Sequence, residues 1–246
     1  MLELKNPHSV LAVLKKRPKD VVEIAIMGLA GGVWDEVVSL AKSKRVPVLS
    51  AAPDRGRGPG PGGKVERIGI AVARVREPLP VPVESLFTGA NEPGASGLWL
   101  ALDCLQDPHN VGAIFRSAGF FGVRGIIMTK DRSASITGTV CDVAAGGVES
   151  VPFAEVTNLK RTMEQAKAAG LWLLGTSEHA KDRLESYSAD RPWLLVLGNE
   201  EKGLRQGTLE GCDCVCGIHP SGSVTSLNVS VATGICISWL SRKLSS

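Results

Sequence analysis

Apolar and polar positions follow two regimes along this chain. Up to residue 77 the apolar runs are short and set between charged stretches. From residue 97 they become dense aliphatic blocks that alternate with amphipathic segments. In the first regime, residues 9–16 follow Asn6-Pro7, a helix-start signal, and are read as a short helix. Residues 21–27 are apolar and β-branched and predict a strand, as do 46–49 and 68–75. Val33, Val37, Val38 and Ala41 recur at helical spacing within 32–44. Residues 53–63 are dominated by Gly and Pro, so no regular structure is expected there.

The second regime predicts strands at 98–102, 124–128, 151–153, 171–174, 193–197 and 214–218. Helices are expected at 111–121, 137–145, 159–169 and 226–240. Strands that alternate with helices of this length imply an α/β fold with a parallel sheet covered on both faces. The strands are uniformly apolar rather than alternating, as burial on both faces requires. Between the regimes, Pro78, Pro80 and Pro82 favour an extended spacer. The expected organisation is a small α/β domain at 1–77, a Pro-rich linker at 78–96 and a larger α/β domain at 97–246.

Composition adds little except in its distribution. No apolar run reaches the roughly 18–20 residues of a membrane span, and residues 1–5 lack a signal-peptide pattern. A cytoplasmic protein with six reduced cysteines and no membrane partner is expected. Residues 1–77 hold 14 Lys/Arg against 8 Asp/Glu, whereas the remainder is mildly acidic. A basic first domain suits a polyanion, although an unevenly charged surface accounts for the same numbers. Arg55, Arg57 and Lys64 lie in the Gly/Pro stretch, where a basic loop can order on nucleic-acid phosphates.

Three loops, each after a strand, carry the candidate chemistry. The first runs from Asp103 to Ala118 and contains Asp107 and Asn110 as helix caps, Gly112 for close approach, and Arg116. An Arg pointing back toward the loop suits a phosphate or carboxylate, because its fork donates in pairs. The second is Leu197-Gly198-Asn199-Glu200-Glu201-Lys202-Gly203-Leu204, with Glu200 available to orient an amine, a ribose or an Arg. The third spans residues 217–232, breaks on Pro220 and Gly222, and is expected to restart as a helix at Thr225 or Ser226. Neither a dinucleotide Gly fingerprint nor a phosphate-binding P-loop is present. Cys212, Cys214 and Cys216 alternate as strand residues do, and lack zinc-ligand spacing, so no metal is expected.

Together these loops resemble the three ordered motifs of the SpoU (TrmH) family of RNA ribose 2′-O-methyltransferases, in the SPOUT superfamily. The matching residues are Asn110-Val111-Gly112 with Arg116; Leu197-Gly198-Asn199-Glu200 with Gly203-Leu204; and Ser226-Leu227-Asn228-Val229-Ser230-Val231-Ala232. Residues 72–75, 130–133, 149–152 and 156–159 look like the bacterial RlmB branch, which methylates a guanosine of large-subunit rRNA.

The resemblance implies a deep trefoil knot, S-adenosylmethionine as methyl donor, and a homodimer whose active site uses both subunits. It also implies a ribosomal-protein-like first domain that helps bind RNA. Carried onto this chain, the cofactor would be held at Thr176, Gly198, Ile218 and Leu227, and the reaction served by Arg116, Asn110, Glu200, Ser226 and Asn228. The chain departs from the family pattern at Ile218-His219-Pro220, where Ile-Pro-Met is usual. It departs again at Arg67-Ile68-Gly69, where His-Gln usually precedes the Gly; Arg67 joins the expected RNA contacts. Other readings are the same reaction on tRNA or another rRNA nucleotide, and an RNA-binding assembly factor without catalysis.

Overall fold

The computed structural model describes residues 1–27, 31–51, 70–92, 94–188 and 190–241. The chain builds two sheets. The first contains β1 (Leu2–Leu4), β2 (Val21–Met27), β3 (Val48–Ala51) and β4 (Ile70–Val75), in the order β1-β4-β2-β3. Helices α1 (Pro7–Lys16) and α2 (Val33–Ser43) accompany it. The Asn6 side chain caps α1 by accepting from the His8 amide at 3.0 Å, with Pro7 in the first turn where it forfeits no bond. Strand β1 is absent from the hydropathy reading. Only three residues long, it is set by antiparallel pairing of Leu2 with Val75 rather than by its own pattern.

A short helix α3 (Val83–Leu86) interrupts the Pro-rich segment. Its buried Leu86 packs on the second sheet, and the Leu86 carbonyl accepts from the Trp99 indole at 2.7 Å. The second sheet then follows. Its elements are β5 (Gly97–Leu102), α4 (Pro108–Phe121), β6 (Gly125–Thr129), α5 (Gly138–Ala144), α6 (Gly147–Ser150), β7 (Phe153–Val156) and α7 (Leu159–Ala168). After these come β8 (Trp172–Thr176), β9 (Asp182–Arg183), β10 (Pro192–Leu197), α8 (Gln206–Glu210), β11 (Cys214–Gly217) and α9 (Val229–Ser241).

Seven parallel strands run in the order β7-β6-β5-β10-β8-β11-β9. Every residue of β5, β6 and β10 is buried, as the uniformly apolar strands require. One apolar cluster on this sheet, with Leu100, Ile114, Phe115 and Leu195, continues without a break into Leu4, Val10 and Leu14 of the first unit. The opposite face packs Trp99, Ile127, Leu173 and Val196 against α3 and α7.

Two expected boundaries are corrected. Strand β7, at one edge of the seven-stranded sheet, is Phe153–Val156, not 151–153, because Pro152 lacks an amide donor and stands before the ladder, where its carbonyl accepts from Ile126. The closing helix starts at Val229 rather than at Thr225 or Ser226. The Asn228 side chain captures the Ser230 amide at 2.8 Å, and so fixes the start three residues later than composition suggests.

Candidate active site

The crossing of β10 between β5 and β8, with β11 beyond β8, brings the ends of four parallel strands together. Their loops enclose a cavity of about 900 Å³. Thr176, Gly198, Ile218 and Leu227, the four expected cofactor residues, all line it, as do Glu200 and Ser226. Backbone packs closely between the loops that line it. A Cβ on Gly198 would overlap the Gly203 carbonyl carbon and the Leu204 nitrogen, and one on Gly217 would lie 2.7 Å from the Ser177 carbonyl. The Thr176 hydroxyl turns away to the Val196 carbonyl at 3.2 Å.

At the cavity mouth the three loops are joined by a line of side chains. Asn228 Nδ2 donates to Asn110 Oδ1 at 2.9 Å, and Asn110 Nδ2 donates to Glu200 Oε1 at 3.3 Å. Glu200 also accepts from the Asp107 amide at 3.1 Å and the Gln106 amide at 3.3 Å, at the start of α4. A carboxylate on free amides beside a helix N-terminus is favoured by both hydrogen bonding and the dipole. Asp107 alone caps α4, through the His109 amide at 2.9 Å. The expected second cap, Asn110, sits inside the first turn, 6% exposed, and turns to the other loops instead.

Asn199, unassigned above, secures the second loop. Its Nδ2 donates to the Cys104 carbonyl at 2.8 Å and to Glu200 Oε2 at 3.1 Å, and its Oδ1 accepts from the Glu201 and Lys202 amides. Cys104 presents that carbonyl from a left-handed conformation, φ 61°, which is uncommon outside glycine. The signal for Asn199 was present: an Asx residue after Gly198, followed by a polar turn, commonly folds its side chain onto the next amides.

A family model described as the SpoU rRNA Methylase family matches residues 97–238. The chain belongs to the SpoU rRNA methylase family. Among curated relatives, a "23S rRNA (guanosine-2'-O-)-methyltransferase RlmB" of Pseudomonas aeruginosa is 46% identical over 235 residues, covering 94% of this chain and 92% of that protein. Its counterpart in Nitrosomonas europaea is 37% identical over 231 residues, covering 94% and 87%. Among solved structures, the SpoU methyltransferase AviRb from Streptomyces viridochromogenes superposes with a TM-score of 0.77 at 23% identity, over 98% of this chain and 89% of that one. AviRb has also been solved in complex with the cofactor AdoMet, again with a TM-score of 0.77.

Not every residue expected from the SpoU motifs reaches the cavity. Arg116 is exposed on α4, outside the lining, and makes no ion pair or hydrogen bond among the described residues. Its position on the helix separates it from the Asn110 side of the loop. Six residues advance a helix by roughly 600°, so Arg116 emerges about 120° around from Asn110. Arg55, Arg57, Lys64 and Arg67 lie outside the described residues.

Two further groups shape the site. Asp103 is fully buried at the end of β5 and is neutralised by Arg205, 2.6 Å away, at the exit of the second loop. The pair ties the first motif to the second; a charge ending the apolar run Leu100-Ala101-Leu102 was its sequence signal. His219, at the departure from the SpoU pattern, lines the cavity, and its buried Nδ1 has no hydrogen-bond partner among the described residues. The cysteines are free thiols. Among the described residues no cluster of His, Cys, Asp or Glu is placed to hold a metal ion, and no helix is long and apolar enough to cross a membrane.

Proposed function

We propose that this protein transfers the methyl group of S-adenosylmethionine to the 2′-oxygen of a ribose in RNA, a guanosine of 23S rRNA. The observation that carries this reading is the line Asn228–Asn110–Glu200, which joins all three motifs beside the cavity. At about 900 Å³ the cavity falls within the range of small-molecule sites, roughly 300–1,000 Å³. Thr176, Gly198, Ile218 and Leu227 would hold the cofactor, which supplies an electrophilic methyl on sulfur. The RlmB relatives point to the same reaction and to the nucleotide.

A ribose hydroxyl is a weak nucleophile until its proton leaves. Arg116 is permanently charged, so its guanidinium serves as a fixed cation that holds the neighbouring phosphate and stabilises the forming alkoxide. Both Glu200 oxygens are occupied by donors, which makes this carboxylate a positioning group rather than a free base. Asn110, Asn228 and Ser226 fix the ribose against the methyl, and in-line alignment supplies much of the rate.

Arg116 reaches a cavity by dimerisation, so that each cavity takes its Arg from the other subunit. Support comes from apolar surface beside the cavity: Leu227, Val231 and Ile235 are 50%, 51% and 41% exposed. Val231 and Ile235 lie one turn apart on α9, as a self-complementary helix face would place them. The strand order β5-β10-β8-β11 supports a trefoil knot, a rare topology. Residues 1–77 form the RNA-binding unit, 78–96 the linker and 97–246 the catalytic unit, acting in the cytoplasm on the ribosomal subunit or its precursor.

The test is mass mapping of ribose methylation on 23S rRNA from cells with and without the gene. One guanosine methyl should vanish with the gene. An unchanged map would remove the rRNA reading.

A further inference from the structure

The first unit is clamped to the second by a set of contacts that the reaction itself does not require. The Asp142 carboxylate on α5 accepts from the Lys5 amide at 2.9 Å and the Asn6 amide at 3.0 Å, while Asn6 Nδ2 returns a bond to the Asp142 carbonyl at 2.7 Å. The buried Ser9 hydroxyl donates to the Cys141 carbonyl at 2.7 Å. Arg17, at the end of α1, forks onto Glu149 of α6 at 2.8 and 2.9 Å, with Glu149 almost completely buried. Neither side has slack. A Cβ on Gly138 would overlap the Glu3 carbonyl, and one on Gly146 would lie 3.0 Å from Ala12 Cβ.

The same two short helices grip the catalytic helix on their other side. A Cβ on Gly112 of α4 would lie 2.7 Å from Val143 Cβ and 2.8 Å from the Val140 carbonyl, both on α5. A Cβ on Gly147 of α6 would overlap the Phe115 carbonyl and lie 2.8 Å from the Arg116 nitrogen. Helices α5 and α6 are thus a spacer of fixed thickness between the first unit and the turn of α4 that carries Arg116.

We propose that Asp142 and Glu149 are positioning residues that set the register between the RNA-binding unit and Arg116, so that RNA held by residues 1–77 meets the site at one distance. The inference rests on the reading of the protein as an RNA methyltransferase. Contacts this close transmit position without adjustment, and a misplacement near 1 Å can cost on the order of 10²-fold in rate. Loosening the clamp therefore lowers the rate of transfer, not the affinity for either ligand.

The experiment uses the full chain, S-adenosylhomocysteine as cofactor probe and an unmodified 23S rRNA transcript. Asp142→Ala should speed amide exchange at Lys5 and Asn6, leave both ligand affinities within about threefold, and slow single-turnover methylation by roughly tenfold or more. Glu149→Arg should slow it likewise, and adding Arg17→Glu to that variant should recover much of the rate, with circular dichroism confirming the fold. Wild-type Lys5 and Asn6 amides that exchange freely would overturn the inference. So would a variant with loosened amides and an unchanged rate, or a charge swap without recovery should Asp142→Ala fail to fold. A wild-type protein that binds the probe yet methylates no RNA would instead defeat the underlying functional reading.

Discussion

The cavity and the Arg116 face of α4 sit in one domain but are finished to different degrees. The loops around the cavity are tied to one another by bonds within one chain. Glu200 has its oxygens filled, Asn228 is tied to Asn110, and Asn199 pins its own loop. Arg116 has no such partner among the described residues, and stands exposed although the family motif places it at the reaction. The contrast sets a site tied together within one chain against a motif residue that, in the proposed function, acts only when a second copy delivers it. The exposed apolar residues of α9 beside the cavity are where that proposal would seat the second copy.

Substitutions on the two sides should separate accordingly. Arg116→Ala should reduce methyl transfer on the order of 10²–10³-fold, as loss of a fixed charge-stabilising donor does. Calorimetry should find S-adenosylhomocysteine affinity within twofold of wild type. A parallel loss of affinity would place Arg116 in the cavity after all. Gly198→Ala should act in the opposite sense. The new methyl meets Gly203 and Leu204 backbone, so the loop shifts, with about 1–3 kcal/mol of overpacking strain. Cofactor affinity should fall about tenfold with a lower Tm; unchanged affinity would mean that the second loop does not wall the cofactor.

Asn228→Ala should have a mixed, smaller effect. It removes the α9 cap, worth about 0.5–2 kcal/mol, and the tie to Asn110. A fall in Tm and a roughly tenfold slower transfer are expected, and a loss of stability alone would leave Asn228 a cap and nothing more.

The smallest effect concerns the thiols. Burial pushes Cys141, Cys212, Cys216 and Cys236 up to about 12 from an ordinary 9.0. Between those values the unfolded chain has shed protons that the folded chain keeps, so stability falls as pH rises across that window. Thermal melts should show a lower Tm at pH 10 than at pH 8, and Cys236→Ala should reduce the slope. A flat profile would mean that these thiols are hydrated.

Much of this was legible in the sequence for stated reasons. Apolar blocks such as Leu98–Leu102 are long enough to declare themselves as doubly buried strands, and the Gly-broken loops between them mark where the chain can approach a ligand. Elements that owe their existence to a partner were not legible. Strand β1 exists because Val75 pairs with Leu2, and α3 because Leu86 finds a pocket beside Trp99. The start of α9 was misread because small hydroxyl residues look like caps until a particular side chain, Asn228, takes the amides. That Arg116 stands outside the cavity lining was not legible, because helix spacing gives its angle relative to Asn110 but not where the cavity lies. The clamp at Asp142 and Glu149 joins residues 136 and 132 positions away, respectively, and left no local signature.

The measurement that bears most directly on the central claim is complementation between two inactive chains. Arg116→Ala and Glu200→Ala proteins would be unfolded together, refolded as a mixture, and assayed for methyl transfer to 23S rRNA. In a mixed dimer one site combines an intact cavity from one chain with an intact Arg116 from the other. The mixture should regain about a quarter of wild-type activity, while each variant refolded alone stays inactive. A mixture as inactive as its parents, with mixed dimers confirmed by native mass spectrometry, would contradict delivery of Arg116 from the partner subunit.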